Sequence, residues 1–477
     1  MQPPGGPGTM KFSAGGAKTA QQGKPVYSLP VDHRAGQGKN FAMSKASSES
    51  VLNQVNSARA RLPGTNSRPV PQGQVSVSKD GGLSIAASGG RSYKMRSDGT
   101  LASFSGKGVT ASFNPQGKVR SLRTDRMEIS RGPRGERRMH SVLPDKSVLV
   151  ATGPDRGYLQ RTVGRNSRNF VQRTHLHGNR TFTREYAVYS FNGINLESFR
   201  PRAQFPPALY GWAASPWPEP VAYPWGWIQE PWYAANSGYF TPLSAYLDAT
   251  QLLADYLVAE TMKASYEEPV DSGEPPLAAY AKIDTPVSPE VRQELAQGIR
   301  SQLDMEREAA LDANRNADSG ELAAALNDPR HLFVVSSSLV VTTHGEACGL
   351  TPGDVLQLTG TPPEGVQTAK LRVVSSKRMD CPANLVVTVP LSDLQAMHNN
   401  MREQMYAGLD LLRTSQGAKG LPPAPADAMA APRPTEVADL PPADADVRSL
   451  VESQIKEADK TEAEVIQSAY ADDARGM

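Results

Sequence analysis

Residues 75–131 read VSVSKDGGLSIAASGGRSYKMRSDGTLASFSGKGVTASFNPQGKVRSLRTDRMEISR. Apolar side chains fall in short alternating runs: Val75 and Val77, Leu83 and Ile85, Tyr93 and Met95, Leu101 and Phe104, Ala111 and Phe113, Val119 and Leu122, Met127 and Ile129. Turn formers separate them at Asp80-Gly81-Gly82, Ser88-Gly89-Gly90, Asp98-Gly99, Gly106-Lys107-Gly108, Asn114-Pro115-Gln116-Gly117 and Gly132-Pro133-Arg134-Gly135. Period-two strands with turns at roughly 8–15-residue spacing predict an antiparallel meander. The series continues through Ser147–Thr152, Gly157–Val163 and the hairpin Phe170–His175/Thr181–Ser190, turned at Gly178-Asn179, with Asn192-Gly193 marking one more turn. Short, similar strands fit an extended or repeat-like sheet as well as a closed barrel. Arginines opposite the apolar positions predict one apolar and one basic side.

Downstream, residues 201–243 hold all five tryptophans, Trp212, Trp217, Trp225, Trp227 and Trp232, among Tyr210, Tyr223, Tyr233, Phe240 and nine prolines. So many prolines argue against helix and central strand and predict an extended, folded-back loop. A helix is expected over about Leu243–Tyr266, from the stripe Leu243, Leu247, Leu252, Leu253, Tyr256, Leu257 and Met262, followed by a linker over Glu267–Pro286. Ser288 as N-cap and Pro289 at the first helical position open a second helix, fading near Leu311. A short helical piece follows at Ser319–Leu326. Residues 331–391 read as a small β-barrel-like unit, and Ser392-x-x-Gln395 reads as a capping box opening a helix to about Leu412. A Pro/Ala-rich linker over 418–445 leads to an amphipathic, acidic helix at Ala445–Tyr470, expected to be mobile. Residues 1–70 are Gly-, Pro-, Ser- and Gln-rich and expected to be disordered, with a short helical stretch at Ser48–Arg61. The fold class is α+β: a disordered basic N-terminus (1–70), a meander (75–200), an aromatic/proline segment and its helix (201–266), a helical connector (287–327), a small β unit with its helix (330–415) and a flexible tail (418–477).

The formal charge of +2 on 477 residues hides a split. Residues 91–200 carry 21 Lys and Arg against 8 Asp and Glu, whereas residues 201–477 sum to −18. A basic first half is expected to meet an anion: nucleic acid, an anionic polysaccharide, lipid headgroups or the chain's own acidic half. The two cysteines, Cys348 and Cys381, lie in one β unit and pair if the compartment is oxidising. No apolar run approaches the ~20 residues of a membrane span. Met1 to Lys11 contain no apolar signal-peptide core.

Catalytic signatures are missing. No serine sits in a nucleophile elbow, no glycine run cradles phosphate, and Cys348 and Cys381 lack zinc-site spacing. His175 and His177 share a strand face without further ligands nearby in sequence. No catalytic, cofactor or metal residue is assigned; an enzyme built from scattered residues would leave no motif. The segment Gly349-Leu350-Thr351-Pro352-Gly353-Asp354 is similar to a strand-opening loop of PDZ domains, but the unit lacks a carboxylate-binding glycine loop, and the segment reads as a tight turn. Arg120, Arg123, Arg126, Arg131, Arg134, Arg137 and Arg138 form a candidate anion-binding cluster, set against a plain solvated face. Trp217, Trp225, Trp227 and Trp232 are candidate sugar-stacking residues, set against a proline-rich mini-core.

In chain order, Phe170-Val-Gln-Arg-Thr174, Gly178-x-x-Thr181-Phe-x-Arg184, Tyr210-Gly-Trp212, Trp225-Gly-Trp227, Pro231-Trp232-Tyr233, Tyr239-Phe240-x-Pro242 and the helix Leu252-Leu-Ala-Asp-Tyr-Leu257 resemble a family of uncharacterised bacterial exported, envelope-associated proteins. The resemblance covers about residues 75–415. It implies an exported protein and no activity. The expected function is therefore non-catalytic binding or scaffolding at the periplasm or cell surface, against an anionic polysaccharide, cell-wall polymer or envelope protein. The alternative is intracellular nucleic-acid binding through the basic half.

Overall fold

The computed structural model describes residues 73–78, 81–165, 168–268, 281–312, 321–343 and 346–470, with Ser50 and Asn53. The expectations for residues 1–70 and most of the 267–286 linker lie outside the described residues. The fold is α+β. Its largest element is an antiparallel sheet whose strands pair strictly in chain order: β1 (Gly73–Val77), β2 (Leu83–Ala87), β3 (Ser92–Met95), β4 (Leu101–Gly106), β5 (Val109–Phe113), β6 (Val119–Arg123), β7 (Met127–Arg131), β8 (Arg137–Val142), β9 (Val148–Gly153), β10 (Arg156–Arg165), β11 (Arg168–His177), β12 (Arg180–Phe191) and β13 (Ile194–Arg200). The sheet is open, not a barrel: β1 and β13 end the order and do not pair with each other. Its turns follow the chemistry of their residues. Asn192 and Gly193 take φ of 46° and 79°, both left-handed, as a two-residue type I′ hairpin turn requires.

The inward row, including Leu83, Ile85, Tyr93, Phe104, Phe113, Leu122, Ile129, Met139, Leu149, Leu159 and Leu176, is buried under a helix from the far end of the chain. Val447, Val451, Ala458, Val465 and Ala469 of Val447–Tyr470 fill that face. The expectation of a mobile C-terminal helix is corrected: a single-layer sheet with one apolar face must cover it, and this helix supplies the cover. The segment leading to it is pinned as well. Val437 and Leu440 pack on Phe170 and Ala187, and Gln172 Nε2 donates to Pro441 O at 2.5 Å.

The opposite face of the last strands carries the helical body. The 201–243 stretch is not one extended loop. After β14 (Ala203–Gln204) it forms helix α1 (Pro207–Ala214), β15 (Pro216–Val221), a 3-10 turn at Gly226–Gln229 and helix α2 (Pro231–Asn236). Pro207 and Pro231 start the helices, where a missing N–H costs nothing and the fixed φ is already helical. β16 (Tyr246–Asp248) pairs with β15 and delivers Asp248 as the N-cap of α3 (Ala249–Tyr266), accepting from Gln251 N. The helix thus starts six residues later than its apolar stripe predicts, and Leu247 is exposed. Ser288 caps α4 (Pro289–Leu311) as expected.

Helix α5 (Glu321–Asn327) precedes β17 (Leu332–Val334), β18 (Leu339–Thr343), β19 (Glu346–Leu350), β20 (Val355–Leu358), β21 (Thr368–Ser375) and β22 (Val386–Pro390). These form an open four-stranded sheet, β17-β20-β21-β22, and a separate hairpin, β18-β19, rather than a closed barrel. Cys348 and Cys381 are bonded in its core. Helix α6 (Leu391–Ser415) has no side-chain cap. Ser392 falls inside the first turn, and Gln395 instead accepts from Tyr189 OH and donates to Asn399 Oδ1, so the capping-box reading is corrected. β23 (Arg433–Pro434) pairs with β14, and the C-terminal helix is α7 (Val447–Tyr470). No described helix is long and apolar enough to cross a membrane.

Candidate binding face

The cross-strand registers of the meander define a continuous outward row. Ser76 faces Ser84, which faces Lys94, and the series runs on through Ser103, Ser112, Ser121 and Ser130 to Arg138. A second row passes through Ser92, Ser105, Thr110, Arg123, Glu128 and His140. Alternation makes these rows inevitable once the apolar partners turn toward α7. Neighbouring hydroxyls bridge the strands: Ser112 and Ser121 lie 2.6 Å apart, and Ser105 and Thr110 3.4 Å. Lys94, Thr110, Arg123 and Arg138 are exposed, and the intervening serines are half-buried. At strand spacing the first row spans about 34 Å. The cover begins at β8–β9. Burial, with Arg138 and Arg123 nearby, holds the His140 pKa down, while burial raises that of Glu128 against the pull of Arg123. Val150, facing the same way, is buried.

The seven candidate arginines do not form one basic side. Arg131 and Arg137 lie on the apolar side with α7. Arg131 makes a two-bond fork with Glu462 at 3.0 and 3.1 Å, and Arg137 reaches Asp459 at 2.6 Å. Arg134, in the β7–β8 turn, binds Asp380 at 3.1 Å. Arg120 is the residue skipped where the β6 register shifts between Ser121 and Val119, and Arg126 is exposed beside the β6–β7 turn. Only Arg123 and Arg138 stand on the outward rows. Further along, Arg161 pairs with Asp444, Arg165 with Asp439 and Arg168 with Glu436. The acidic C-terminal segment is thus a principal anion met by the basic half.

The four tryptophans present no stacking surface. Trp217, Trp225, Trp227 and Trp232 are 8, 7, 7 and 3% exposed. Trp227 packs on Trp225 and Trp232, each at 5.2 Å, and Trp225 Nε1 donates to Tyr246 OH, which donates to Asp255 Oδ2. Burial raises the pKa of Asp255. The mini-core reading holds because helix-starting prolines fold these aromatics back onto α3. His175 lies between Tyr158 and Phe182, stacked on Phe182 at 5.0 Å, and His177 Nε2 meets Glu267 Oε2 at 3.0 Å, so the two do not converge. Among the described residues no three His, Cys, Asp or Glu side chains cluster as a metal site.

Sequence reasoning missed the buried ion pair at the centre of the helical body. Arg402 Nε and Nη2 donate to Glu306 Oε1 at 3.1 and 2.5 Å, and Tyr406 OH donates to Glu306 Oε2 at 2.9 Å. Burial works to raise the Glu306 pKa, but Arg402 outweighs it and holds the carboxyl ionised. Ninety-six positions separate the pair, beyond any local pattern. No family model, no curated protein and no solved structure matches this chain.

Proposed function

We propose that the chain is a non-catalytic binding protein of the bacterial envelope, and that the outward rows of the meander dock an extended anionic polysaccharide. The observation that carries this reading is the hydroxyl row running from Ser76 to Arg138, with Lys94, Arg123 and Arg138 against the single carboxylate Glu128. Hydroxyls at a regular strand spacing offer donors and acceptors to a polyhydroxylated chain, and the cations supply attraction. A single-stranded nucleic acid is less well served, because base stacking needs aromatic platforms and the outward residues of β2–β7 are Ser, Thr, Ala, Lys, Arg and Glu. The Cys348–Cys381 bond favours an oxidising compartment.

The test is affinity electrophoresis of the full chain in alginate, a polyuronate. Retardation that weakens at least tenfold in the Lys94→Ala/Arg123→Ala/Arg138→Ala variant supports the reading. No retardation, or retardation indifferent to the three substitutions, overturns it. Tighter retention by single-stranded DNA with a steep salt dependence turns the assignment to nucleic acid.

A further inference from the structure

Away from the sheet, a small pocket opens between α4, α6 and β17. Glu294 and Gly298 of α4, His331 just before β17, and Met397, His398 and Met401 of α6 contribute to its lining. His398 is 2% exposed, and neither of its ring nitrogens has a hydrogen-bond partner. A buried polar group left unsatisfied is costly, so this imidazole requires an explanation that packing does not supply. His331 is half-buried beside it, with the two ring centroids 6.3 Å apart. An ion bonded to one nitrogen of each ring at ~2.0–2.1 Å lies about 3 Å from each centroid, so this separation suits one ion held between them.

The remaining donors are soft. Met397 and Met401 are one helical turn apart on α6, both buried, and both line the same pocket. No cysteine lines the pocket, so it offers no thiolate. Its one carboxylate, Glu294, already accepts from Gln357 Nε2 at 3.3 Å. Imidazole and thioether donors are neutral, and a doubly charged ion would enter this apolar pocket poorly compensated. Thioethers and imidazoles together select copper(I) among biological metals. The pocket has room for about one water-sized sphere, enough for a single ion.

We propose that His331, Met397, His398 and Met401 form a binding site for one copper(I) ion. The site does not depend on the sheet face and stands whether or not that face binds polysaccharide.

The experiment loads the full-length chain anaerobically with acetonitrile-stabilised copper(I), and in parallel with silver(I) as a redox-inert probe. Bound metal is counted after desalting, and its neighbours are read by X-ray absorption. One equivalent with both sulfur and nitrogen scatterers is expected. The Met397→Leu/Met401→Leu variant conserves volume and should melt within a few degrees of the native chain while binding copper(I) at least tenfold more weakly. His398→Gln should lose the ion as well; if that variant does not fold, the methionine pair alone decides. The proposal is overturned if no copper(I) is retained, if the methionine variant retains it equally, or if zinc(II) is bound in preference.

Discussion

The meander and the helical body solve the same problem by different means. In the body, aromatic rings and helices pack into one core, and the carboxylate of Glu306 trapped there is held in place between Arg402 and Tyr406. In the meander one helix covers the inward apolar row, and polar links fasten that cover and the segment leading to it: Arg131 to Glu462, Ser141 Oγ to Gln454 Oε1 and, at the open rim, Arg165 to Asp439. Charge therefore plays opposite parts. A buried pair is costly to break because the survivor is stranded without water, whereas a rim pair exchanges its partner for solvent. The difference teaches that the basic composition of the first half marks an intramolecular seam as much as a ligand surface.

That contrast can be broken most forcefully at its buried end. Arg402→Ala strands the Glu306 carboxylate and should cost about 3–5 kcal/mol in urea unfolding, against about 1 kcal/mol or less for Arg165→Ala, whose pair with Asp439 is open to solvent. Equal losses would erase the distinction. Replacing both cysteines by serine frees a separation of 33 residues and should cost about 3–4 kcal/mol, felt in the small β unit and the body but not at the meander. Proteolysis of the meander at an unchanged rate in that variant would sharpen the comparison.

A third effect is set by pH at the joint between the two regions. Asp380, held by Arg134 of the meander and by Thr351 Oγ1, is pushed up to about 7 by burial, with Asp354 adding to the effect and Lys377 and Arg134 opposing it. A carboxyl whose folded pKa is raised keeps its proton in the native state. Its contribution is fully present below the unfolded value near 4 and is lost as pH rises through 7. Melting temperature should fall by several degrees between pH 5 and 8, and Asp380→Asn should flatten that fall. A wild-type profile that rises over the same range would contradict the assignment. The smallest effect belongs to the open rows: Ser112→Ala with Ser121→Ala should leave stability within about 0.5 kcal/mol while weakening alginate retardation.

Much of the meander was legible because each strand carries its own evidence, an alternating pair or triple of apolar residues closed by a glycine turn. The Ser288-Pro289 helix start was local in the same way. What escaped was non-local or ambiguous in period. Prolines 207 and 231 read as helix breakers until their position at the first turn is known. The amphipathic stripe of α7 predicts a helix without saying which surface it seeks. Of the candidate site, the arginines were visible but their sorting between two faces was not: Arg131 and Arg137 continue the inward rows of Ile129 and Met139, whereas Arg123 and Arg138 continue the outward ones, and only the pairing register fixes this. The outward serines carried no signal alone; they become a row only through register. Met397 and Met401 sit at helical spacing and are buried like ordinary core residues, and His331 stands too far from His398 in sequence for any spacing rule to join them.

The cover of the meander also sets a schedule. Leu176 is the last strand residue to join the sheet's inward apolar row, and Val447 is the first residue of the helix that shields it. About 270 residues separate the two, which at ~5–20 residues per second is roughly 15–55 s of synthesis. Through that interval the sheet's apolar face has been made and its lid has not. A chain built in this order is at its stickiest while still attached to the ribosome, and holding chaperones gain most by acting then.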